Sequence, residues 1–356
     1  MDNPSLAPSR RKIPIARLGL LGLVGVILTL LTIRTLSVVE ECVPVRRIRQ
    51  GEWTARDSHV STFFLDRFWV FGGWFDSNQE NLRDAWVSAD GIRWDQVAER
   101  LPFPETDYQA VTTMGSRLYL MGGWADGRLL SSRASSNVWS TADGATWTLA
   151  TDAPGWSPRL GASSVTFHGK IWLLGGVEDY HHATPAELKN DVWVSDDGAA
   201  WTRVTEGAPW SPRGFAAAAV FRDHIYLVGG GSYRETRLQL GDVWRSADGV
   251  RWERITSAPA WSGRIWHTAV VADSSLFLIG GWRDDPPTNL DEVWRSRDGE
   301  RWERLPLCSG ARIPHASRAV AVGDRIYQFG GATDEVTSSV YVLEPGRRVL
   351  KRRWFP

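Results

Sequence analysis

Four arginines stand at equivalent points of a repeated pattern and are the first candidates for binding chemistry. Each arginine follows a tryptophan by three residues and precedes a pair of glycines by 16 residues. A guanidinium group presents a planar fork of donors that matches a carboxylate, so a ring of such residues could hold an anionic ligand. The alternative is structural: each arginine bonds the backbone or an acid of a neighbouring repeat. The four residues are Arg56, Arg159, Arg213 and Arg264.

Histidines and tryptophans near these arginines are further candidates for ligand contacts. His59 and His267 lie three residues after their arginine, and Trp74, Trp124 and Trp282 directly follow a glycine pair. An exposed tryptophan can stack on a sugar ring, whereas the alternative for these rings is packing at the rim of a channel. All five residues are therefore candidate ligand-binding residues.

Evidence for a metal site or a catalytic centre is weak. The segment Glu178-Asp179-Tyr180-His181-His182 carries imidazole and carboxylate groups that could bind a metal ion, but adjacent histidines in one loop usually point apart. No nucleophile, acid and base stand at spacings that place them together. The sequence therefore predicts no catalytic residue, no metal site and no cofactor, and it favours binding over catalysis.

These candidates occur within six copies of one unit. Short runs of aromatic and β-branched residues each end in a glycine pair, which is the pattern of a buried strand. Successive pairs are 50 to 54 residues apart, a period typical of propellers and solenoids. The pairs are Gly72-Gly73, Gly122-Gly123, Gly175-Gly176, Gly229-Gly230, Gly280-Gly281 and Gly330-Gly331.

A second block follows each glycine pair and contains, in five units, two tryptophans eight residues apart with an Asp-Gly turn between them. If that turn is a three-residue hairpin loop, paired rings such as Trp86 and Trp94 lie directly opposite each other. The rings would then wedge between neighbouring sheets, each burying about 150–250 Å². The turn aspartates are expected to accept hydrogen bonds from loop N–H groups. They are Asp90, Asp143, Asp197, Asp248 and Asp298.

Each unit therefore has four strands, named a to d, and six units predict an all-β, six-bladed β-propeller over residues 53–349. The a–b and c–d loops are short and constant, whereas the b–c loops vary and share a face with the d–a connections. Because binding residues favour variable loops on a rigid scaffold, that face is the candidate ligand site. The last outer strand comes either from the region of Val349 or from residues 40–52, which otherwise form a stalk.

The glycine pair after an aromatic-aliphatic strand, followed by spaced tryptophans, resembles the Kelch repeat. The Ser-x-Asp-Gly-x-x-Trp turn is also similar to the Asp box of sialidases, although it is one residue shorter. The resemblance implies a Kelch-type propeller that binds a protein or an anionic glycan, since some members bind acidic peptides through arginines. It also implies an alternative, a carbohydrate-acting enzyme such as a sialic-acid-type sugar mutarotase in the same central mouth.

The first fifty residues differ in character from the repeats. A basic segment, residues 1–17, precedes the uncharged apolar run of residues 18–33. With Arg34 reaching the interface, the span extends over residues 18–39, which meets the length of about 20 residues that a transmembrane helix needs. We expect a single-pass anchor with a cytoplasmic N-terminus and an exported propeller. In an exported domain, Cys42 and Cys308 form either a disulfide or two free thiols.

The charge distribution excludes one class of partner. The chain is neutral overall, but residues 51–346 carry 28 basic and 38 acidic side chains. Nucleic-acid binding needs a basic stripe on the folded surface, and here the excess of basic residues lies at the two ends, including the tail of residues 350–356. We therefore expect a protein or anionic glycan as ligand, a membrane contact through the N-terminal helix, and no nucleic acid.

Overall fold

A computed structural model describes residues 38–75, 80–127, 129, 132–233, 237–256, 260–308, 310 and 312–353. Secondary structure within these ranges consists of strands and turns, without a helix. Six antiparallel sheets contain four strands each. The inner strand of every sheet contacts the inner strands of the two neighbouring sheets, which closes a ring. The repeats therefore form a six-bladed β-propeller, as the glycine spacing predicts.

Two strands precede the first blade, β1 (Val38–Cys42) and β2 (Val45–Gln50). The strands of blades 1 to 3 then follow in the order a, b, c, d from the central channel outward. They are β3 (Val60–Phe64), β4 (Arg67–Phe71), β5 (Ala85–Ser88) and β6 (Asp95–Ala98); β7 (Ala110–Met114), β8 (Arg117–Met121), β9 (Val138–Thr141) and β10 (Thr148–Thr151); and β11 (Ser163–Phe167), β12 (Lys170–Val177), β13 (Leu188–Ser195) and β14 (Trp201–Thr205).

Blades 4 and 5 repeat this order, and blade 5 carries an extra hairpin, β21 with β22, in its b–c connection. Blade 6 takes only its three inner strands from the C-terminal part of the chain. Blade 4 contains β15 (Ala217–Phe221), β16 (His224–Gly231), β17 (Gln239–Ser246) and β18 (Glu253–Thr256). Blade 5 contains β19 (Thr268–Ala272), β20 (Ser275–Ile279), β23 (Val293–Ser296) and β24 (Glu303–Arg304), with the hairpin of β21 (Trp282–Asp284) and β22 (Pro287–Asn289). Blade 6 contains β25 (Ala319–Val322), β26 (Arg325–Phe329) and β27 (Ser339–Leu343), and β28 (Val349–Arg353) follows outside the blade.

The blades are stabilised mainly by their neighbours. The b strands are the most apolar, and in β12 every residue after Lys170 is buried. Outer strands such as β6 are exposed or half-buried. One apolar cluster joins Trp172 of blade 3 to Trp210, Ile225 and Trp252, which belong to blade 4 and the connection leading into it. Because each cluster lies between two sheets, no blade buries its apolar surface alone.

The tryptophans of each block are not directly opposed, which corrects the expectation from the spacing. Trp86 lies opposite Gln96, because the c–d turn is wider than three residues and residue 94 falls outside the outer strand. The second tryptophan packs instead against an aromatic residue of the d–a connection. Trp53 and Trp94, for example, have ring centroids 4.4 Å apart in an edge-to-face arrangement. The wedge between blades exists, but with different partners from those predicted.

The turn aspartates act as predicted. In blade 4 the carboxylate of Asp248 accepts hydrogen bonds from the backbone N–H groups of Val250 and Arg251 at 2.9 and 2.8 Å. The other four turns repeat both bonds. The next residue, Gly249, has a φ of +73° and lies on the ring of Trp172 in blade 3, so that a Cβ there would stand 2.2 to 2.6 Å from three ring atoms. The turn thus joins two blades.

Replacing Gly249 with alanine is expected to lower the free energy of unfolding by about 2–4 kcal/mol, because the methyl group meets both a left-handed backbone and a packed ring. Gly169 is the matched control, since it has the same φ of +73° and no described atom within 4 Å of a Cβ position. Gly169→Ala should cost only the backbone strain, about 1 kcal/mol. Denaturant unfolding followed by tryptophan fluorescence measures both values, and equal losses would contradict the packing role.

The ring is closed by the N-terminal strand, which answers the question that the sequence leaves open. β2 is the outer strand of blade 6 and pairs antiparallel with β27, with Val45 opposite Leu343. Cys42, just before β2, forms a disulfide with Cys308 in the connection between blades 5 and 6. Val349 belongs to β28, which pairs with β1 in a separate two-stranded sheet. The ring is therefore closed at blade 6 by the pairing of β2 with β27 and, next to it, by the Cys42–Cys308 disulfide.

The predicted transmembrane span, residues 18–39, lies outside the described residues except for its last two positions. Val38 and Val39 belong to strand β1, so any helical span ends before them. Among the residues that the model describes, none forms a helix with the length and apolar character needed to cross a bilayer.

Candidate functional site

One ring of six residues surrounds the entrance of the central channel on the face of the b–c loops and d–a connections. Each member lies two positions after the repeated arginine or its equivalent, and one or two residues separate it from strand a. All six have φ between +50° and +60°. We call this set the mouth ring; its members are Ser58, Tyr108, Gly161, Phe215, Trp266 and Ala316.

Backbone hydrogen bonds connect the mouth ring from blade to blade. The N–H of Tyr108 donates to the carbonyl of Ser58, that of Gly161 to Tyr108, and that of Phe215 to Gly161, at 2.7 to 3.0 Å. On the other side, Ser58 donates to Ala316 and Ala316 to Trp266. These five bonds link the six members into a chain that is open only between Phe215 and Trp266, so the channel entrance is framed at five of its six blade boundaries.

Three large aromatic side chains of the mouth ring converge over the channel. Tyr108 and Trp266 belong to opposite blades, yet their rings are nearly parallel, with centroids 6.3 Å apart and an interplanar angle of 16°. Phe215 packs edge-on against both. A left-handed backbone costs about 1–3 kcal/mol for a residue with a side chain, and such strain clusters at functional sites. Aromatic residues held there therefore mark the entrance as the candidate site.

A cavity of about 90 Å³ lies under these rings and is lined by the mouth ring and the first residues of the a strands. Hydroxyl, amide, imidazole and guanidinium groups make up much of its wall. The lining includes two of the predicted site residues, His59 and His267, and adds Gln109, Ser163, Ser164, Thr268, Ser317 and Arg318. No aspartate or glutamate belongs to the described lining.

Arg318 is the charged group of this cavity. It projects from the start of β25, and its Nη2 donates to the backbone carbonyl of Gln109 in blade 2 at 3.2 Å. No carboxylate among the described residues pairs with it. Burial lowers the pKa of Arg318 to about 10, so the guanidinium stays positively charged at neutral pH. The cavity thus holds a cation whose remaining donors are open to a ligand.

Three buried polar side chains of the lining have polar atoms without a partner among the described residues. They are both amide atoms of Gln109, both ring nitrogens of His59 and the Nδ1 atom of His267. The Nε2 of His267 lies 2.9 Å from the carbonyl of Val228. A carbonyl only accepts, so Nε2 carries the proton of the neutral ring and Nδ1 is a free acceptor. Buried polar groups normally find a partner, so these groups indicate a place for polar ligand atoms.

The cavity imidazoles are neutral. Burial, followed by the charge of Arg264, lowers the pKa of His267 to about 3. Burial, followed by the charge of Arg56, does the same for His59. A group with a pKa of about 3 is a weak proton acceptor at neutral pH, far from the value near the operating pH that suits a general base. The two histidines are therefore suited to hydrogen bonding rather than to proton transfer.

The low pKa of His267 makes stability depend on pH. Below pH about 6.5 the unfolded histidine binds a proton, whereas the folded one stays neutral down to about 3, so stability falls as the pH drops through this window. Between pH 7 and pH 5 the expected loss from this residue is about 2 kcal/mol. His267→Asn should reduce the pH dependence of the unfolding free energy by that amount, measured by denaturant titration at both pH values.

Between pH 7 and pH 8, where the histidine is neutral in both states, wild type and His267→Asn should show the same change in stability. An undiminished loss between pH 7 and pH 5 in the variant would contradict a neutral buried imidazole.

The four repeated arginines do not face the channel as free anion receptors; the structure places them within the blades. Each is buried and forms an ion pair inside its own blade. Arg213, for example, donates to Asp242 from Nη1 and Nη2 at 2.6 and 3.1 Å and to the carbonyl of Gly229 at 2.9 Å. The acid also accepts a hydrogen bond from Trp244 at 2.8 Å. The arginines therefore have the structural role that the sequence left as an alternative, although their backbone and acidic partners belong to the same blade and not to a neighbouring one.

The other three arginines repeat the arrangement with one acid each. The partner always stands two residues before the first tryptophan of the block and accepts a hydrogen bond from its Nε1. The ion pairs are Arg56–Asp84, Arg159–Asp191 and Arg264–Glu292. Because each guanidinium is buried and already paired with an acid, ligand binding through these side chains would first have to break an ion pair within a blade.

The three candidate tryptophans lie at the outer edge of the site rather than in the cavity wall. Trp74 and Trp282 are half-buried and Trp124 is fully buried. Each forms a backbone bridge with its own d–a connection, opposite Asp57, Asp107 or Ile265. This bridge confirms that the b–c loops and d–a connections share one face. Trp124 and Trp282 belong to the apolar cluster that also contains Tyr108, Phe215 and Trp266 of the mouth ring.

The acidic and histidine-rich segment of blade 3 is arranged around its own backbone. The carboxylate of Asp179 accepts a hydrogen bond from the N–H of His181 at 2.6 Å, and Glu178 forms an ion pair with Lys189. The ring of His181 bonds the carbonyl of Leu129 at 2.9 Å. Within the described part of the chain, no group of three or more metal-binding side chains comes together.

Sequence reasoning missed Arg318 and the aromatic members of the mouth ring. When the units are aligned on their glycine pairs, the position of Arg318 is occupied in the other five by Val60, Ala110, Ser163, Ala217 and Thr268. A single charge in a column of small or apolar residues is the signal that would have identified it. The left-handed conformation leaves no such trace, because Tyr, Phe and Trp are not residues that favour it.

Comparisons with known proteins agree with the fold. The family model of the KLHDC2/KLHL20/DRC7 Kelch-repeats domain matches residues 58–281. Alpha-scruin of Limulus polyphemus is 33% identical over 174 residues, covering 46% of this chain and 17% of the relative. Leucine-zipper-like transcriptional regulator 1 of Pongo abelii is 23% identical over 268 residues, 66% of this chain and 30% of the relative. The chain thus matches only a minor part of these relatives' length.

A solved structure, "Structure of YjhT", superimposes with a TM-score of 0.67 and 14% sequence identity. The superposition covers 86% of this chain and 100% of the other. At this identity the similarity concerns the arrangement of blades.

Proposed function

The chain belongs to the Kelch-repeat family of β-propellers, and from that premise we propose that it is a binding module whose central cavity receives an anionic glycan. Kelch propellers generally act as binding modules for proteins. The observation that carries the glycan proposal is Arg318, a cation without a carboxylate partner among the described residues, in a polar cavity. Aromatic rings at the entrance supply the apolar faces on which sugars stack.

Two further features favour a glycan over a protein surface as ligand. The lining offers hydroxyl, amide and imidazole groups from every blade except blade 4, which suits a ligand that carries many hydroxyl groups. The site is a small recess within the mouth ring rather than a long groove, and we expect it to accept a protruding group rather than a flat face. A protein partner that presents such a group remains compatible with this geometry.

A glycan array with the purified full chain tests the proposal, with a pull-down from membrane extracts alongside. We expect retention of glycans that carry carboxylates and no retention of their neutral counterparts. Phe215→Ala, which opens the aromatic entrance, should weaken this retention, whereas Phe75→Ala, an exposed aromatic outside the cavity lining, should not. An array without any hit, together with a specific protein in the pull-down, would favour a protein ligand instead.

The enzyme alternative, a sugar mutarotase in the same mouth, has less support. Ring opening of a sugar needs a proton donor and a proton acceptor with suitable pKa values. The described lining lacks carboxylates, and its two imidazoles of blades 1 and 5 have pKa values of about 3. We therefore propose binding without turnover. NMR exchange between the two anomers of a bound sugar acid checks this, since acceleration by the protein would establish catalysis.

We also propose that residues 18–37 anchor the propeller to a membrane and that the propeller is exported. The apolar run of residues 18–33 after a basic segment supports the anchor, and residues 18–37 together reach the length of about 20 residues that a helix across a bilayer needs. The Cys42–Cys308 disulfide supports export, since such bonds persist in oxidising compartments. A reporter enzyme that is active only in an oxidising compartment should be active when it is fused after Pro356. A reporter that is active only in the cytoplasm should be inactive at the same position, and its activity would refute export.

A further inference from the structure

Arg318, Gln109 and His267 form one set of complementary groups in the cavity. Arg318 and the amide nitrogen of Gln109 are donors, while Nδ1 of His267 and the amide oxygen of Gln109 are acceptors. Donors suit a carboxylate, and acceptors suit the hydroxyl groups beside it. A carboxylate that lacks neighbouring hydroxyls would satisfy only half of the set.

The size of the cavity limits which part of a ligand enters. Its volume of about 90 Å³ is smaller than that of a cavity of about 150 Å³, which accommodates a benzene ring. A carboxylate with the carbon that bears it fits, whereas a complete sugar ring does not. The ring of the ligand must therefore stay at the level of Tyr108 and Trp266.

From these observations we infer that the site recognises a sugar acid, with the carboxylate on Arg318 and an adjacent hydroxyl on His267. The bidentate fork of Arg318 and the amide of Gln109 hold the carboxylate oxygens. The hydroxyl donates to Nδ1 of His267, which the bond from Nε2 to Val228 keeps unprotonated. This assignment rests on the proposed glycan-binding function and names the ligand class and the residue that selects it.

The charge environment supports the choice of Arg318 as the selecting residue. The four repeated arginines are neutralised by their own acids, so their charges are compensated within the blades. Arg318 lacks such compensation among the described residues and belongs to the lining. A ligand carboxylate would therefore complete an ion pair that the protein itself leaves open.

The test uses the full chain and three probes: glucuronate, glucose and cyclohexanecarboxylate. Glucose lacks the carboxylate and cyclohexanecarboxylate lacks the hydroxyls, so wild type should bind glucuronate at least about tenfold more tightly than either. Arg318→Gln should remove the preference for glucuronate over glucose, and Arg318→Lys should retain part of it because the charge remains without the fork. Isothermal titration calorimetry measures all three affinities.

Arg312→Gln is the matched control, because Arg312 is an exposed arginine that pairs with Asp334 and does not line the cavity. It should leave the glucuronate preference unchanged. Circular dichroism and the unfolding midpoint show whether each variant is folded. His267→Phe is a second test variant, and it should reduce only the preference for glucuronate over cyclohexanecarboxylate. An unaltered preference in folded Arg318→Gln would overturn the assignment.

The outcomes separate this inference from the proposed function. If acidic glycans bind on the array but Arg318→Gln keeps the preference, the assignment of Arg318 is wrong while glycan binding stands. If glucuronate binds through Arg318 but no glycan is retained on the array, the assignment stands and the broader function is wrong. Binding of a peptide with a free terminal carboxylate, without binding of glucuronate, would overturn the choice of a sugar acid.

Discussion

Asp242→Asn is expected to destabilise the propeller by about 3–5 kcal/mol, because it leaves the buried guanidinium of Arg213 without its counter-charge. Both side chains are almost completely buried, with exposed fractions of 1% and 6%. Burial alone would raise the pKa of Asp242, but the hydrogen bonds and charge of Arg213 lower it below the usual value. The pair is therefore ionised at neutral pH. Denaturant unfolding followed by tryptophan fluorescence provides the measurement.

Asp196→Asn is the matched control for this prediction. Asp196 also pairs with a basic residue, Lys170, but its side chain is 77% exposed, and exposed pairs contribute about 0–1 kcal/mol. A double variant with leucine at both 213 and 242 should be less destabilised than Asp242→Asn, since no charge is left buried alone. If Asp242→Asn and Asp196→Asn have equally small effects, the repeated arginines do not stabilise the blades.

Cys42→Ser is the second change with a large expected effect, about 3–5 kcal/mol of unfolding free energy. The disulfide joins residues 266 positions apart, so it restricts the unfolded chain over nearly the whole propeller. It also holds the start of β2, whose pairing with β27 is the other link that closes the ring. Without the disulfide, closure depends on the hydrogen bonds of that strand pair and on packing.

Unfolding midpoints in the presence and absence of a reductant check this expectation. Reductant should lower the midpoint of wild type to the level of Cys42→Ser and should have no effect on the double variant with serine at both positions. A wild-type midpoint that reductant does not move would show that the bond contributes little. If the disulfide holds β2 in place, limited proteolysis should cleave the reduced protein first near β2.

The architecture was predictable because it depends on local, repeated chemistry. A run such as Ile171–Leu174 followed by two glycines is buried from both sides, and this pattern occurs six times at nearly constant spacing. The turn aspartates were predictable for the same reason, since Asp248 bonds N–H groups only two and three residues away. Such interactions are encoded within a few residues.

Two features failed or remained open because they depend on geometry beyond one repeat. The spacing of eight residues suggested that Trp86 and Trp94 face each other, but the carboxylate of Asp90 widens the turn by binding two N–H groups and shifts the register. Closure by β2 was undecided, since both chain ends offered a strand. The choice of the chain end that supplies the outer strand of blade 6 depends on contacts between residues about 300 positions apart, and no short stretch of sequence encodes it.

The residues of the candidate site likewise include some that the sequence indicated and others that it did not. Position alone identified His59 and His267, which line the cavity. Arginine chemistry suggested four anion receptors, but type and spacing do not reveal that each has an acid two residues before a tryptophan as its partner. The same regularity obscured Arg318, which breaks the pattern of its column. In this propeller the regular arginines stabilise the blades, and the exception, Arg318, lines the cavity.

The chain of peptide hydrogen bonds at the channel entrance limits how a guest can pass. Spreading two blades apart would break the link that joins their members at five of the six boundaries, and only the boundary between Phe215 and Trp266 lacks such a link. We expect entry of a guest to require rotation of Tyr108 or Trp266, because their nearly parallel rings lie over the channel. In the proposed site, selection by size would therefore be set by single side chains at the entrance, and selection by charge by Arg318 in the cavity.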